Sequence, residues 1–363
     1  MQNKNKKSDK INWIFDLKKD VLGFLDKLKI DGFFYYSLSG DLHDKRSCWG
    51  LGNTVFAVKI YYTIGILDEL PKQEKMRLSG FINSFQKENG LFSDPLVQKK
   101  SALINVLAAI KNFNYNNFFG QMTQVAETRQ SLSALKLLGE NANFQYTAFP
   151  DTKESIGKHL EKLDWTKPWG AGSHFSHLLF FLHNSNLKNK EALIDFAIQW
   201  VNEIQNKNDG SWYKGSPTLQ QKINGAMKVI TGFKAANKTF FKYPEKLIDL
   251  CLSAKNDSHA CDNFNIVYVL KYANELTKNS YKYDEIKDFC YDRLDIYRNY
   301  YFPEFGGFSF KQGKANDIYY GAKITKGLNE PDIHGTVMFL WGISIISQIL
   351  NMQDKLNFKE FTT

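Results

Sequence analysis

The chain lacks the marks of several protein classes. Only four cysteines occur, at 48, 251, 261 and 290, and none forms a close CxxC pair. A disulfide framework is therefore not expected, and a reducing, cytoplasmic setting fits. Prolines number eight in 363 residues, too few to interrupt the long helix-period segments. The most apolar run, GTVMFLWGISIISQIL at 335–350, is 16 residues long and carries Thr and Ser. It is short for a membrane span and suits a helix buried on all sides. The first residues hold no apolar stretch ending in small residues, so no secretory signal is expected. No Gly-rich phosphate loop, nucleophile elbow or HExxH motif appears, which disfavours those enzyme classes.

What is present is a basic, aromatic, helix-patterned chain. The net charge is +9, and the lysines and arginines are spread along the sequence. Such a surplus keeps a protein soluble, and it also allows contact with an anionic membrane or a phosphorylated substrate. No nucleic-acid motif accompanies it, so no nucleic-acid partner is expected. Hydrophobic residues make up 43%, enough to exclude global disorder. Residues 1–12 read as a disordered basic lead-in, 13–352 as one domain and 353–363 as a C-terminal tail.

A pattern recurs along that domain. WVNEIQNKNDGSW (200–212) reads aromatic, aliphatic, three residues, Gln205, four residues, Gly210, one residue, Trp212. FINSFQKENGLF (81–92) repeats it with Gln86, Gly90 and Phe92. FLDKLKIDGFF (24–34) keeps the frame with Lys29 in the Gln place, and YYFPEFGGFSF (300–310) keeps only the glycine and aromatic end. The glycines at 32, 90 and 210 suggest a period near 60, with a degenerate copy around 139–149. Glycine takes the positive φ of a tight helix-ending turn at little cost, the glutamine can bond free backbone groups, and the aromatic fills the gap between helices. After each turn comes a more apolar segment: 53–67, 100–110, 128–138, 173–183, 224–233, 262–273 and 334–350. Amphipathic helices alternating with helices apolar all round predict an all-α chain, an α/α toroid of inner and outer helices built from about six hairpin repeats.

This repeat resembles the QW motif of squalene-hopene cyclase and the wider terpenoid cyclase and protein prenyltransferase superfamily, over residues 20–350. The resemblance implies an active cavity at the N-terminal ends of the inner helices and a substrate such as an isoprenoid or other lipid diphosphate. It also implies, for a prenyltransferase-like chain, a partner subunit. Cyclases carry an Asp-x-Asp-Asp acid motif at such a helix start. Here His259-Ala260-Cys261-Asp262 stands in that frame, and only Asp262 matches. Prenyltransferases hold zinc with Asp, Cys and His. Cys261, His334 and one of Asp257, Asp262 or His259 would be the corresponding set, with a position left open for substrate.

The remaining helix starts add candidates from the residues alone. Glu127 and His174 join His259 and Asp262 as acid–base groups, and Arg129, Trp49, Trp169 and Lys228 as substrate-binding groups. Gln130, Ser173, His177, Lys222, Asp332 and the trio His43, Asp44 and Arg46 lie nearby in sequence. Simpler roles compete: a buried cysteine at 261, N-caps at Asp262 and Asp332, a hydrogen-bonded helix-start histidine at 334. Two other functions fit the same pattern. A carbohydrate lyase or hydrolase would show paired carboxylates or a Tyr/His/Arg set. A binding scaffold would have no perturbed acid or base.

Overall fold

A computed structural model describes residues 10–30, 32–42, 49–102 and 121–363. Residues 1–9 of the lead-in expected to be disordered over 1–12, the candidates His43, Asp44 and Arg46, and most of the helix expected at 100–110 lie outside those residues, while 10–12 are helical. The described chain is predominantly helical, with strand only in two-residue hairpins.

The helices alternate in character. In chain order the longer helices that lie wholly within the described residues are α1 (Leu17–Leu28), α2 (Leu51–Thr63), α3 (Lys72–Asn83), α4 (Gln121–Leu138), α5 (Lys153–Lys162), α6 (Pro168–His183), α7 (Lys190–Glu203), α8 (Leu219–Ala235), α9 (Pro244–Leu252), α10 (Ala260–Leu276), α11 (Tyr283–Arg298) and α12 (Ile333–Ile349). Odd-numbered helices bury one stripe. In α1 that stripe is Leu17, Val21, Phe24, Leu25 and Leu28, the spacing of a single helix face. Most even-numbered helices are buried nearly all round, as α2 is from Leu51 to Tyr61, while α4 is buried at half of its residues.

The chain divides into two compact units. The first holds Met1–Tyr146, Leu294–Ser344 and Gln353–Phe361, and the second Thr147–Arg293, Ile345–Met352 and Thr362–Thr363. In the second unit α8 packs against α6 and α10, and α5 against α7. In the first, α2 packs against α3 and α4. Residues of the expected C-terminal tail belong to the core: Leu356, Phe358 and Phe361 are buried, and Phe361 lies 4.1 Å from Trp341 ring to ring.

The repeated turns have the expected chemistry. Gln205 Nε2 donates to the Gly210 carbonyl at 2.8 Å, while its Oε1 accepts from Lys242 N at 2.9 Å, just before α9. Gln86 likewise donates to the Gly90 and Phe144 carbonyls and accepts from Phe144 N. Each glutamine thus ties its own turn to a later segment. Gly210 has φ +74°, and a Cβ there would meet Tyr243 O at 2.5 Å and Leu247 N at 2.8 Å. Only glycine permits that approach.

Two sequence expectations shift. The stretch 139–149 is irregular and not a repeat turn. The turn after α5 is cut to Leu163 and Asp164, and Trp165 fills the aromatic place, 1% exposed and bonded from its indole N–H to Leu160 O at 3.1 Å. An amphipathic helix that ends on Lys162 leaves no room for the Gln-Gly spacing. The second shift is at 95, where a helix begins five residues earlier than the expected 100. Asp94 caps it, accepting from Leu96 N and Val97 N at 3.0 and 3.3 Å.

Candidate functional site

The first unit gathers carboxylates at helix starts. Asp94 bonds two helices at once. Besides its own helix, its Oδ2 accepts from Gly50 N at 2.9 Å and Leu51 N at 3.2 Å, the free donors at the start of α2. Such donors are obligatory bonding groups, and they partly offset the burial of Asp94. Burial still lifts its carboxyl to about 6.

Glu127, in α4, sits beside it. Its Oε2 accepts from Asp94 N at 3.3 Å, and the Gln98 side chain also bonds the carboxyl and opposes the rise in its pKa. Only 2% of Glu127 is exposed. Burial first, and then the charge of Asp94, hold its carboxyl well above the usual range. Desolvation and a like charge both disfavour the ionised form. The rest of this helix is also unusual. Its buried residues up to 133 are Thr123, Glu127, Thr128, Arg129, Ser131 and Ser133, where the all-round-buried helices are mostly apolar.

Loops and the start of α12 supply a second cluster. Asp332 is fully buried and caps α12 through Gly335 N at 2.7 Å, while its other oxygen accepts from Phe310 N and Asn316 N. Burial raises it to about 6. Asp41 accepts from Tyr36 N at 2.9 Å and from the Trp49 indole, and burial again raises it to about 6. His334 shares a 3.0 Å hydrogen bond between its Nδ1 and the Tyr36 hydroxyl, which also accepts from Asn316 Nδ2 at 3.1 Å. The His334 ring stacks on Phe56 at 4.7 Å and meets the edge of Tyr319 at 6.1 Å. Tyr319 lies against Gly52 in the first turn of α2, where a Cβ would fall 2.6 Å from its hydroxyl. Burial, with Tyr320, Glu127, Tyr36 and Asp94 contributing, holds that phenol well above its usual range.

The second unit keeps its carboxylate saturated. Asp262, fully buried, accepts from Gln220 Nε2 and Asn224 Nδ2, both at 2.7 Å. His259 caps α10 and lies 3.5 Å from the same carboxylate, with Trp169 stacked on its far side at 6.2 Å. Cys261 keeps partial exposure, yet burial pushes its thiol up to about 12, with Lys228 opposing and Asp262 adding to the rise. Asp257 bonds through its backbone carbonyl to Asn263 Nδ2. His174 is depressed to about 4 by burial and by His159, and its ring lies 5.8 Å from that of His177, which in turn contacts Ser173.

The sequence candidates therefore separate. Glu127, Arg129, Trp49 and His334 belong to the first unit; Asp257, His259, Cys261, Asp262, Trp169, His174 and Lys228 belong to the second. Neither unit by itself holds the zinc set of Cys261, His334 and Asp257. Among the described residues no group of three or more His, Cys, Asp or Glu side chains could hold a metal ion. Lys222 is a turn lock, paired with Asp209 at 2.9 Å and lying over Tyr213. Asp332 is an N-cap as well as part of the cluster. Asp41, Asp94, Tyr36, Asn316 and Tyr319 were missed. Only Asp94 carried a local signal, in Ser93-Asp94-Pro95, a cap followed by proline at the first helical position. A scan against family models finds no match for this chain, and a search of curated proteins finds none either.

Proposed function

We propose that the chain is an acid–base enzyme built on an α/α toroid of the terpenoid cyclase and prenyltransferase kind. Its chemistry centres on the first unit, with an isoprenoid or other lipid diphosphate as substrate. The sequence of amphipathic helices and more deeply buried ones, tied by the Gln-Gly turns, supports the toroid. The observation that carries the reaction is Glu127: a buried acid whose protonated form is favoured by desolvation and by the charge of Asp94, against few hydrogen-bond donors. A carboxylic acid that keeps its proton near neutral pH is a general acid. It donates that proton to a carbon–carbon double bond, and the carboxylate left behind later takes one from the carbocation product. The aromatic faces of Phe56 and Tyr319 suit a developing positive charge. The acid thus moves from Asp262, where the cyclase-like frame would put it, to Glu127. A cytoplasmic setting agrees with the free thiols of Cys251, Cys261 and Cys290, and no described helix is long and apolar enough to cross a membrane.

A second reading draws on a separate observation. The Asp94–Glu127 pair beside the Tyr36–His334 pair is the carboxylate and Tyr/His set expected of a carbohydrate lyase or hydrolase. One experiment addresses both. The protein is incubated with a panel of prenyl diphosphates and linear polyprenes, and with uronate-containing and neutral oligosaccharides, with wild type and Glu127→Gln in parallel. Hydrocarbon or prenyl alcohol products by mass spectrometry, lost in Glu127→Gln, support the first reading. New sugar ends lost in the same variant transfer the assignment to the second. Turnover that survives Glu127→Gln sinks both.

A further inference from the structure

Large hydrophobic side chains stand exposed on one face of the first unit. Ile318 is 49% exposed, Leu328 47%, Leu42 42% and Tyr320 36%. They are neighbours through the backbone. β1 (Ile318–Tyr319) and β2 (Ala322–Lys323) pair antiparallel, with Ile318 opposite Lys323. The turn between them has φ +46° at Tyr320 and +82° at Gly321, the left-handed pair of a tight two-residue hairpin. Leu42 N donates to Ile324 O at 2.8 Å, and Ala315 N donates to Leu328 O at 2.9 Å. Because side chains alternate along a strand, Tyr319 turns inward against Gly52 while Ile318 points out. The inward tyrosine fixes the hairpin, and the outward apolar groups are held in water.

The exposed charge along this stretch is mainly basic. Between 311 and 329 the chain carries Lys311, Lys314, Lys323 and Lys326, and its sole acid is Asp317. That acid is bonded to Lys311 at 2.8 Å. Lys314, Lys323 and Lys326 are exposed, and Lys314 lies against Gly327, next to Leu328.

We propose that this hairpin face docks on an anionic lipid surface, with Ile318, Tyr320, Leu328 and Leu42 entering the headgroup boundary and Lys314, Lys323 and Lys326 meeting lipid phosphates. Two arguments select lipid over a protein partner. Four side chains fall short of the roughly 800 Å² per partner that a stable protein interface needs. A membrane surface needs only shallow apolar insertion with basic residues around it. Lysine stems can also lie along the apolar groups while the ammonium reaches the phosphates. The inference concerns binding and holds whichever reaction Glu127 performs.

The test is co-sedimentation of the full chain with phosphatidylcholine vesicles, with and without phosphatidylglycerol. Binding to the anionic vesicles alone, weakened by salt, is expected. Removing one lysine near an anionic surface costs about fivefold in partitioning, so Lys314→Ala/Lys326→Ala together lose roughly 25-fold. Ile318→Ser/Leu328→Ser also weakens binding, and Lys158→Ala in the second unit leaves it unchanged. Circular dichroism checks that each variant is folded. Absence of binding, equal binding to neutral vesicles, or binding undiminished in the patch variants overturns the proposal. Self-association by light scattering, abolished by Ile318→Ser without vesicle binding, overturns it in favour of a second copy.

Discussion

The two units each bury a helix carboxylate, Asp262 in the first turn of α10 and Glu127 in the second turn of α4, and treat it in opposite ways. Asp262 receives two amide donors and a histidine; Asn224, one of those donors, is itself held by Asn256 and Asn265. Glu127 receives the Asp94 backbone donor and the Gln98 side chain, and sits beside a second acid. A saturated buried carboxylate fastens a helix start. A buried carboxyl with fewer donors and a like charge beside it has its protonated form favoured. Similar side-chain chemistry is thus held differently in the two units, and the difference lies in the number of donors aimed at it.

Several measurements would break or sharpen that contrast. Asp262→Ala strands its amide donors and removes a helix-start acceptor, so urea unfolding should show a loss of about 3–5 kcal/mol. A loss under about 1 kcal/mol would mean the network is solvated and not structural. Glu127→Gln should do the reverse, raising stability at pH 7 by on the order of 1–3 kcal/mol because a buried acid with few donors is replaced by a neutral amide. The pH dependence follows from its raised value. Below about 4.5, the ordinary value, Glu127 is protonated in both folded and unfolded chains. As pH rises, the unfolded chain ionises first, so stability falls until the folded value is passed. Asp41, Asp94 and Asp332 add the same sign between 3.8 and about 6. Thermal melts from pH 4 to 7 should decline in wild type and decline less in Glu127→Gln; parallel curves would return Glu127 to the scaffold.

Smaller effects test whether the repeat turns share the contrast. Gln205 is buried and bonds to Gly210 and Lys242, so Gln205→Ala should cost about 1–3 kcal/mol. Gln86, whose bonds to Phe144 are exposed, should cost less, about 0.5–1.5 kcal/mol for Gln86→Ala. Equal losses in chemical denaturation would show the turns to be equivalent in both units. Smallest of all, Lys158→Ala breaks an exposed pair with Glu154 and should move stability by under about 0.5 kcal/mol.

Much of the helical layout was legible because it is local. The Gln205-Gly210-Trp212 spacing states its own turn, and the apolar run at 335–350 states a buried helix. The third turn, expected at 139–149, was misplaced because Trp165 keeps the aromatic but drops the glutamine and glycine. The candidate site was half legible. Glu127 could be found as a charged residue in a helix otherwise headed for burial. Tyr36, Asn316 and Tyr319 could not, since they reach the cluster from loops nearly 300 residues apart in sequence for Tyr36 and Asn316, and no periodicity marks them. The small number of donors to Glu127 depends on which groups fail to arrive, a property of packing that no spacing encodes.

The turn at Gly306 has a consequence for how the chain comes to be folded. A Cβ on that residue would collide with the Asp20 carbonyl, and Tyr301 bonds the Asp20 side chain at 2.6 Å. The first helix therefore waits for a segment made some 280 residues later. During synthesis, at roughly 5–20 residues per second, that gap lasts on the order of tens of seconds. The second unit, drawn mainly from the continuous stretch Thr147–Arg293, can assemble in that interval. The unit begun first is expected to be finished last, with the apolar stripe of α1 exposed in the meantime and open to chaperones.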